Sequence, residues 1–207
     1  MGAPGEARAV SRALAMLVRP ARAWDEIQAQ PAEPRALFRG YVLPLAAVPA
    51  VCGVIGAAVF GFNIASVGVR MSQAGLLLGS VVGFAATLLA VWLLAIWLDI
   101  TAPAFGGLRD RRAALNLVGY GATASWIGGV AELYPSVGIP VGILAGLYSL
   151  YALYLGLPKL MRIPPERALT AFAAALIATL LLGAARGALV GLAAEAGGPL
   201  SATYAPR

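Results

Sequence analysis

Between residues 138 and 194 the chain consists of two apolar runs joined by ten residues, PKLMRIPPER, which hold Lys159, Arg162 and Arg167. Crossing a hydrocarbon core takes a helix of roughly 20 mostly apolar residues, and each run is about that long. In lipid every backbone N–H and C=O must find a partner within the protein, so the two runs predict a helical hairpin whose basic turn stays in water. The rest of the chain repeats the pattern. Apolar residues make up 60% of the 207 and charged residues only 12%, against about 45–50% and 25% in soluble domains, so no soluble domain of ordinary size is left over.

Three earlier runs complete the expected architecture: an all-α membrane protein, a bundle of five transmembrane helices over 36–62, 74–100, 113–134, 139–157 and 168–194. Residues 1–36 precede the five-helix domain of 37–197, and 198–207 form a short tail. Pro44 and Pro49 fall inside the first run and predict a kink, since proline removes a donor and displaces the carbonyl one turn back. The third run is the most polar, with Asn116, Tyr120, Thr123, Ser125 and Trp126. Residues 63–73 read as a short polar connection.

The first 36 residues contain no uninterrupted apolar stretch of the secretory-signal kind, so they are expected to stay on the side of synthesis. Leu14, Leu17 and Val18 share one helical face, and Trp24 and Ile27 share another after Pro20. Such spacing suits short amphipathic helices lying in the interface with Trp24 at headgroup depth, or a partner-binding helix. Twelve basic residues fall on this side: six in the N-terminal segment, Arg109, Arg111 and Arg112 in the second loop, and Lys159, Arg162 and Arg167 in the hairpin turn. Arg70 and Arg207 fall on the other. The positive-inside rule then puts the N-terminus in the cytoplasm and the C-terminus outside. Fourteen Arg to one Lys fits a GC-rich bacterial genome, and hence an inner membrane.

Chemistry-bearing residues are few. The absence of histidine removes the commonest general base and metal ligand, and Cys52 is alone, so neither catalytic nor metal-binding residues are assigned and no cofactor is expected. Ionisable groups inside spans are the default functional candidates because burying them is costly. Arg186 lies roughly 28 Å along its helix from Arg167 at about 1.5 Å per residue, and either snorkels to outer headgroups or pairs with Glu132 at the same depth. Tyr148, Tyr151 and Tyr154 form a stripe that anchors its helix or hydrogen-bonds within the bundle or, with Asn116 and Tyr120, lines a polar pocket. Glycines recur every fourth residue at 75/79/83, 138/142/146 and 183/187/191, spacing that packs helices closely within one chain or between copies.

The segment GLYSLYALYLGLPKLM followed by PPERAL resembles the most characteristic stretch of the bacterial Yip1-domain membrane proteins. LVRPARAWDEI, ALFRGYVLPLAAVPAV and NLVGYGATASWIGGV extend the similarity over most of the chain. The resemblance implies five spans with a cytosolic N-terminus. Eukaryotic relatives are linked to small GTPases and vesicle traffic, but their Asp-Leu-Tyr-Gly-Pro-like motif has no counterpart in residues 1–36.

Together these features predict a non-enzymatic polytopic membrane protein that organises membrane or recruits lipids and proteins through a basic cytoplasmic face. Arg12, Arg19, Trp24, Arg109, Arg111, Arg112, Lys159 and Arg162 are the expected contacts, with anionic headgroups, a second copy of the chain or another protein as partner, and no nucleic acid. The rival expectation is a small transporter or channel subunit with a polar site between the third, fourth and fifth spans.

Overall fold

A computed structural model describes residues 4–64, 67–70, 72–198 and 201–204, with side-chain surroundings for 8–61 and 72–198. Arg207 lies outside the described residues, as does the side chain of Arg70. Among the described residues four helices are long and apolar enough to cross a membrane: α3 (Pro34–Phe60), α4 (Gln73–Thr101, prolonged by a 3-10 turn to Phe105), α7 (Pro135–Leu160) and α8 (Pro165–Ala196). Two shorter helices, α1 (Pro4–Val18) and α2 (Pro20–Ala29), precede them. Proline opens α2, α3, α7 and α8, where its missing N–H would have had no helical partner anyway.

The expected third span is not one continuous helix. Residues 111–133 form α5 (Arg111–Gly121), α6 (Thr123–Gly128) and a 3-10 turn (Gly129–Leu133). The break falls at Ala122, where the Thr123 hydroxyl donates to the Tyr120 carbonyl (2.5 Å) and glycine at 119, 121, 128 and 129 lowers helix propensity. A broken backbone is tolerated at membrane depth when protein surrounds it, and every residue from Ala113 to Gly121 is buried.

Pro44 is accommodated by a wider turn. Residues Phe38–Val42 form a π-helical turn in which the Leu43 N–H reaches the Phe38 carbonyl, one residue further than in an α-helix. This lets the chain pass the missing proline donor without ending the helix. At the far end, residues expected as a plain connection pair as strands. β1 (Phe62–Ile64) and β2 (Val67–Arg70) form an antiparallel hairpin, and β3 (Ser201–Tyr204) adds to β2 with Val67 opposite Tyr204. Residues 201–204 therefore lie beside the α3–α4 connection.

The core is displaced toward the opposite, basic end. Met16, Trp24, Ile27, Leu37, Leu115, Leu117, Leu157 and Met161 are among the most deeply buried side chains. There Gly106, at φ 80°, turns the chain after α4, and the Leu108 N–H donates to the Met161 carbonyl, tying the α4–α5 link to the α7–α8 turn. Asp110 caps α5 by accepting from the Ala113 N–H at 2.9 Å. Elsewhere the best-packed pair is α4 with α8. Gly75, Gly79 and Gly83 are the buried face of α4 against Ala194, Val190 and Arg186, so this stripe serves packing within the chain. Gly142, Gly146, Gly183, Gly187 and Gly191 have nothing within 4 Å of where a Cβ would be.

Candidate functional site

At the basic end, α2 is docked on the bundle. The Trp24 indole is fully buried, and its N–H donates to the Ala152 carbonyl at 2.8 Å. Gly156 makes room for it: a Cβ there would stand 2.8 Å from the indole and 2.4 Å from Leu117 Cδ1. The expectation of Trp24 as a contact for lipid headgroups is thereby corrected, because a carbonyl and apolar side chains within the protein satisfy both halves of this amphipathic ring. Lys159 reinforces the dock, with Nζ donating to the Ala21 carbonyl (2.7 Å) and pairing with Asp25, while Gln28 Nε2 donates to the Lys159 carbonyl at 2.6 Å.

The link from α2 to α3 is held by Asn116. Its Oδ1 accepts from the Ala32 N–H (2.9 Å), and its Nδ2 donates to the carbonyls of Ala32 (3.0 Å) and Arg112 (2.8 Å). Arg112 adds bonds to the carbonyls of Pro31 (2.6 Å) and Ala32 (3.2 Å). Arg12 donates to the Tyr120 hydroxyl (2.7 Å) and the Gln30 carbonyl (3.0 Å). Tyr148 donates to the Leu17 carbonyl at 2.7 Å, and Tyr154 packs edge-on against Phe172. Tyr151 is exposed and stands edge-on to Tyr148.

These positions separate residues that the sequence pattern grouped together. Arg12, Arg112 and Lys159 are engaged in holding the N-terminal helices. Arg19, Arg111 and Arg162 are exposed, and Arg109 is exposed beside Asp99 at 3.9 Å. Arg22, Arg35, Arg39 and Arg167 are exposed at the same end. Beside them α1 turns Val10, Leu14 and Val18 outward, at 61–69% exposure, while Met16 on its other side is buried. The basic surface is thus edged by an apolar strip at four-residue spacing.

The polar pocket expected between the third, fourth and fifth spans is not assembled. Asn116 is fully buried with both amide atoms bonded, Tyr120 faces Arg12, and Tyr151 points outward. Ser125 and Ser149 bond to each other at 2.9 Å beside a mostly apolar cavity that also includes Leu94, Val118, Leu153 and Thr179.

Glu132 and Arg186 do come together, in a different place. They line a cavity of about 220 Å³ between α3, α4, α8 and the 3-10 turn. They are not in contact: among the described residues no nitrogen of Arg186 lies within 4.0 Å of a Glu132 oxygen. Arg186 Nε makes one long bond, 3.4 Å, to the Gly83 carbonyl. On the other wall, a Cβ at Gly53 would stand 2.8 Å from Glu132 Oε2. Counting along the helices had matched their depth, but the glycine-lined walls that make a cavity between them come from long-range packing.

The family model of the Yip1 domain matches residues 14–186. No curated protein and no solved structure matches the chain. The match runs from α1, through the docked α2 and the broken central segment, to Arg186 in α8, and it takes in α3, α4, α7 and most of α8, the helices of membrane-crossing length and apolarity. The chain belongs to the Yip1 domain family of membrane proteins.

Proposed function

We propose that this protein is a non-enzymatic organiser of the bacterial inner membrane, whose basic end faces the cytoplasm and gathers anionic lipid headgroups. In this reading the broken segment 111–133 is a fifth crossing, and the C-terminus lies outside. Supporting that path, Leu108 bonds Met161 at the basic end while Tyr134 packs against Phe60 at the other. The observation that carries the reading is the group of exposed arginines, Arg19, Arg109, Arg111 and Arg162 among them, next to the apolar strip of α1. Apolar side chains enter the acyl boundary and cations stay with the headgroups, so the pair is matched to a charged lipid surface.

A non-enzymatic role is supported by the sequence, which has no histidine, and by the separation of Asp99 at the basic end from Glu132 at the other. The outward glycines Gly183 and Gly187 leave room for a second copy as partner.

The test replaces Arg19, Arg111 and Arg162 with Gln, all three being clear of the bonds that dock α2. Each basic residue near an anionic surface is worth about 1 kcal/mol. Protein in nanodiscs of mixed anionic and zwitterionic lipid is expected to retain anionic lipid in wild type and to lose most of that enrichment in the triple variant. Equal enrichment in both would sink the proposal.

A further inference from the structure

The cavity shared by Glu132 and Arg186 lies at the end away from the basic surface, and its chemistry is different. Arg186 is ten residues from the end of α8, about 15 Å along the helix, and Gly83 is at the matching depth in α4. The walls are small or apolar, among them Pro49, Ala50, Leu76 and Val190, and the cavity is open at the surface. Both charged residues are exposed, so in a bilayer they meet lipid. Among the described residues Arg186 has only the long bond to Gly83, and Glu132 has no side-chain hydrogen bond.

A cation and an anion held apart across an apolar groove are complementary to a ligand carrying both charges. We infer that this groove binds a phospholipid with a primary-amine headgroup: its phosphate meets Arg186, its ammonium donates to Glu132, and an acyl chain lies along the apolar wall. A guanidinium suits phosphate through its fork of donors. A carboxylate distinguishes a primary ammonium, which has N–H donors, from a trimethylated one, which has none. It also repels a headgroup with net negative charge. The occupant is thus ethanolamine-type lipid, in contrast to the anionic lipid proposed for the basic end, and either site stands or falls without the other.

The test is native mass spectrometry of the full chain released from nanodiscs of phosphatidylethanolamine and phosphatidylcholine in equal parts, with matched acyl chains. Wild type is expected to retain the ethanolamine lipid about tenfold over the choline lipid, the scale of one charge-assisted hydrogen bond. Glu132→Gln should bring that ratio close to one while keeping phospholipid bound. Arg186→Gln should lower retention of both. Should Arg186→Gln fail to fold, the ratio in Glu132→Gln decides alone. Equal retention in wild type, as expected of an arginine that only snorkels, or an unchanged ratio in Glu132→Gln, overturns the inference.

Discussion

The two ends of this bundle are built on different terms. At the basic end indole, amide, guanidinium and ammonium groups are bonded to carbonyls far away in sequence, around the most deeply buried side chains. At the other end α8 leaves Leu180, Leu181, Leu189 and Leu192 exposed, several glycines face open space, and a cavity separates two charges. In lipid an exposed leucine loses nothing by lacking a protein neighbour, so this end can leave its outward side chains uncovered while its inner glycine faces pack closely. The end that meets water needs its polar groups satisfied and its N-terminal helices held. The difference teaches that the basic end is held by side-chain bonds between elements far apart in sequence, and that the other end holds the groove we propose a lipid fills.

Substitutions sharpen that contrast. Trp24→Ala should cost the most, about 3–5 kcal/mol of stability, because it empties a fully buried site and leaves the Ala152 carbonyl without its extra donor. Thermal unfolding in detergent measures it; a change under 1 kcal/mol, scaled against the ~3 expected, would mean α2 is not docked. Asn116→Ala should follow at about 1–3 kcal/mol, since the Ala32 N–H loses its partner and the Ala32 carbonyl keeps only Arg112, and proteolysis between α2 and α3 should speed up.

Two glycines of α7 make the most pointed pair. Gly156→Ala drives a methyl against Trp24 and Leu117 and should destabilise by about 1–3 kcal/mol. Gly146→Ala, in the same helix with open space around it, should stabilise by up to about 1 kcal/mol through helix propensity alone. If both changes had the same sign, the contrast between the ends would fail. The smallest effect is expected at Arg111: Arg111→Gln should leave stability within about 0.5 kcal/mol, as for exposed positions generally, and alter only lipid retention.

Much of the helical framework was legible in the sequence, because membrane-length apolar runs and flanking prolines act locally. Four of the five expected runs are continuous helices whose ends fall within a few residues of the expected ones. The broken third run is explained by its own glycines and Thr123, yet its burial depends on neighbours that no local pattern names. Trp24 and Ile27 show why the site was harder. Their spacing marks an apolar face, but the same face serves equally against lipid or against α7, and only Gly156, 132 residues later than Trp24, decides. Arg12, Arg112 and Lys159 likewise look like any interfacial cation until their carbonyl partners are known. Position along a helix can be counted, which is why Glu132 and Arg186 are expected near one another, but the cavity that keeps them out of contact is made by packing that no count reveals.

The most direct measurement is labelling of single cysteines in intact spheroplasts by a membrane-impermeant maleimide, in a Cys52→Ser background. Arg111→Cys and Arg162→Cys report the basic platform, and Gly198→Cys reports the end beside the small sheet. With the platform in the cytoplasm, the first two should label only after permeabilisation and the third should label from outside. Labelling of Arg111→Cys or Arg162→Cys in intact spheroplasts would contradict the orientation on which the lipid-gathering role depends.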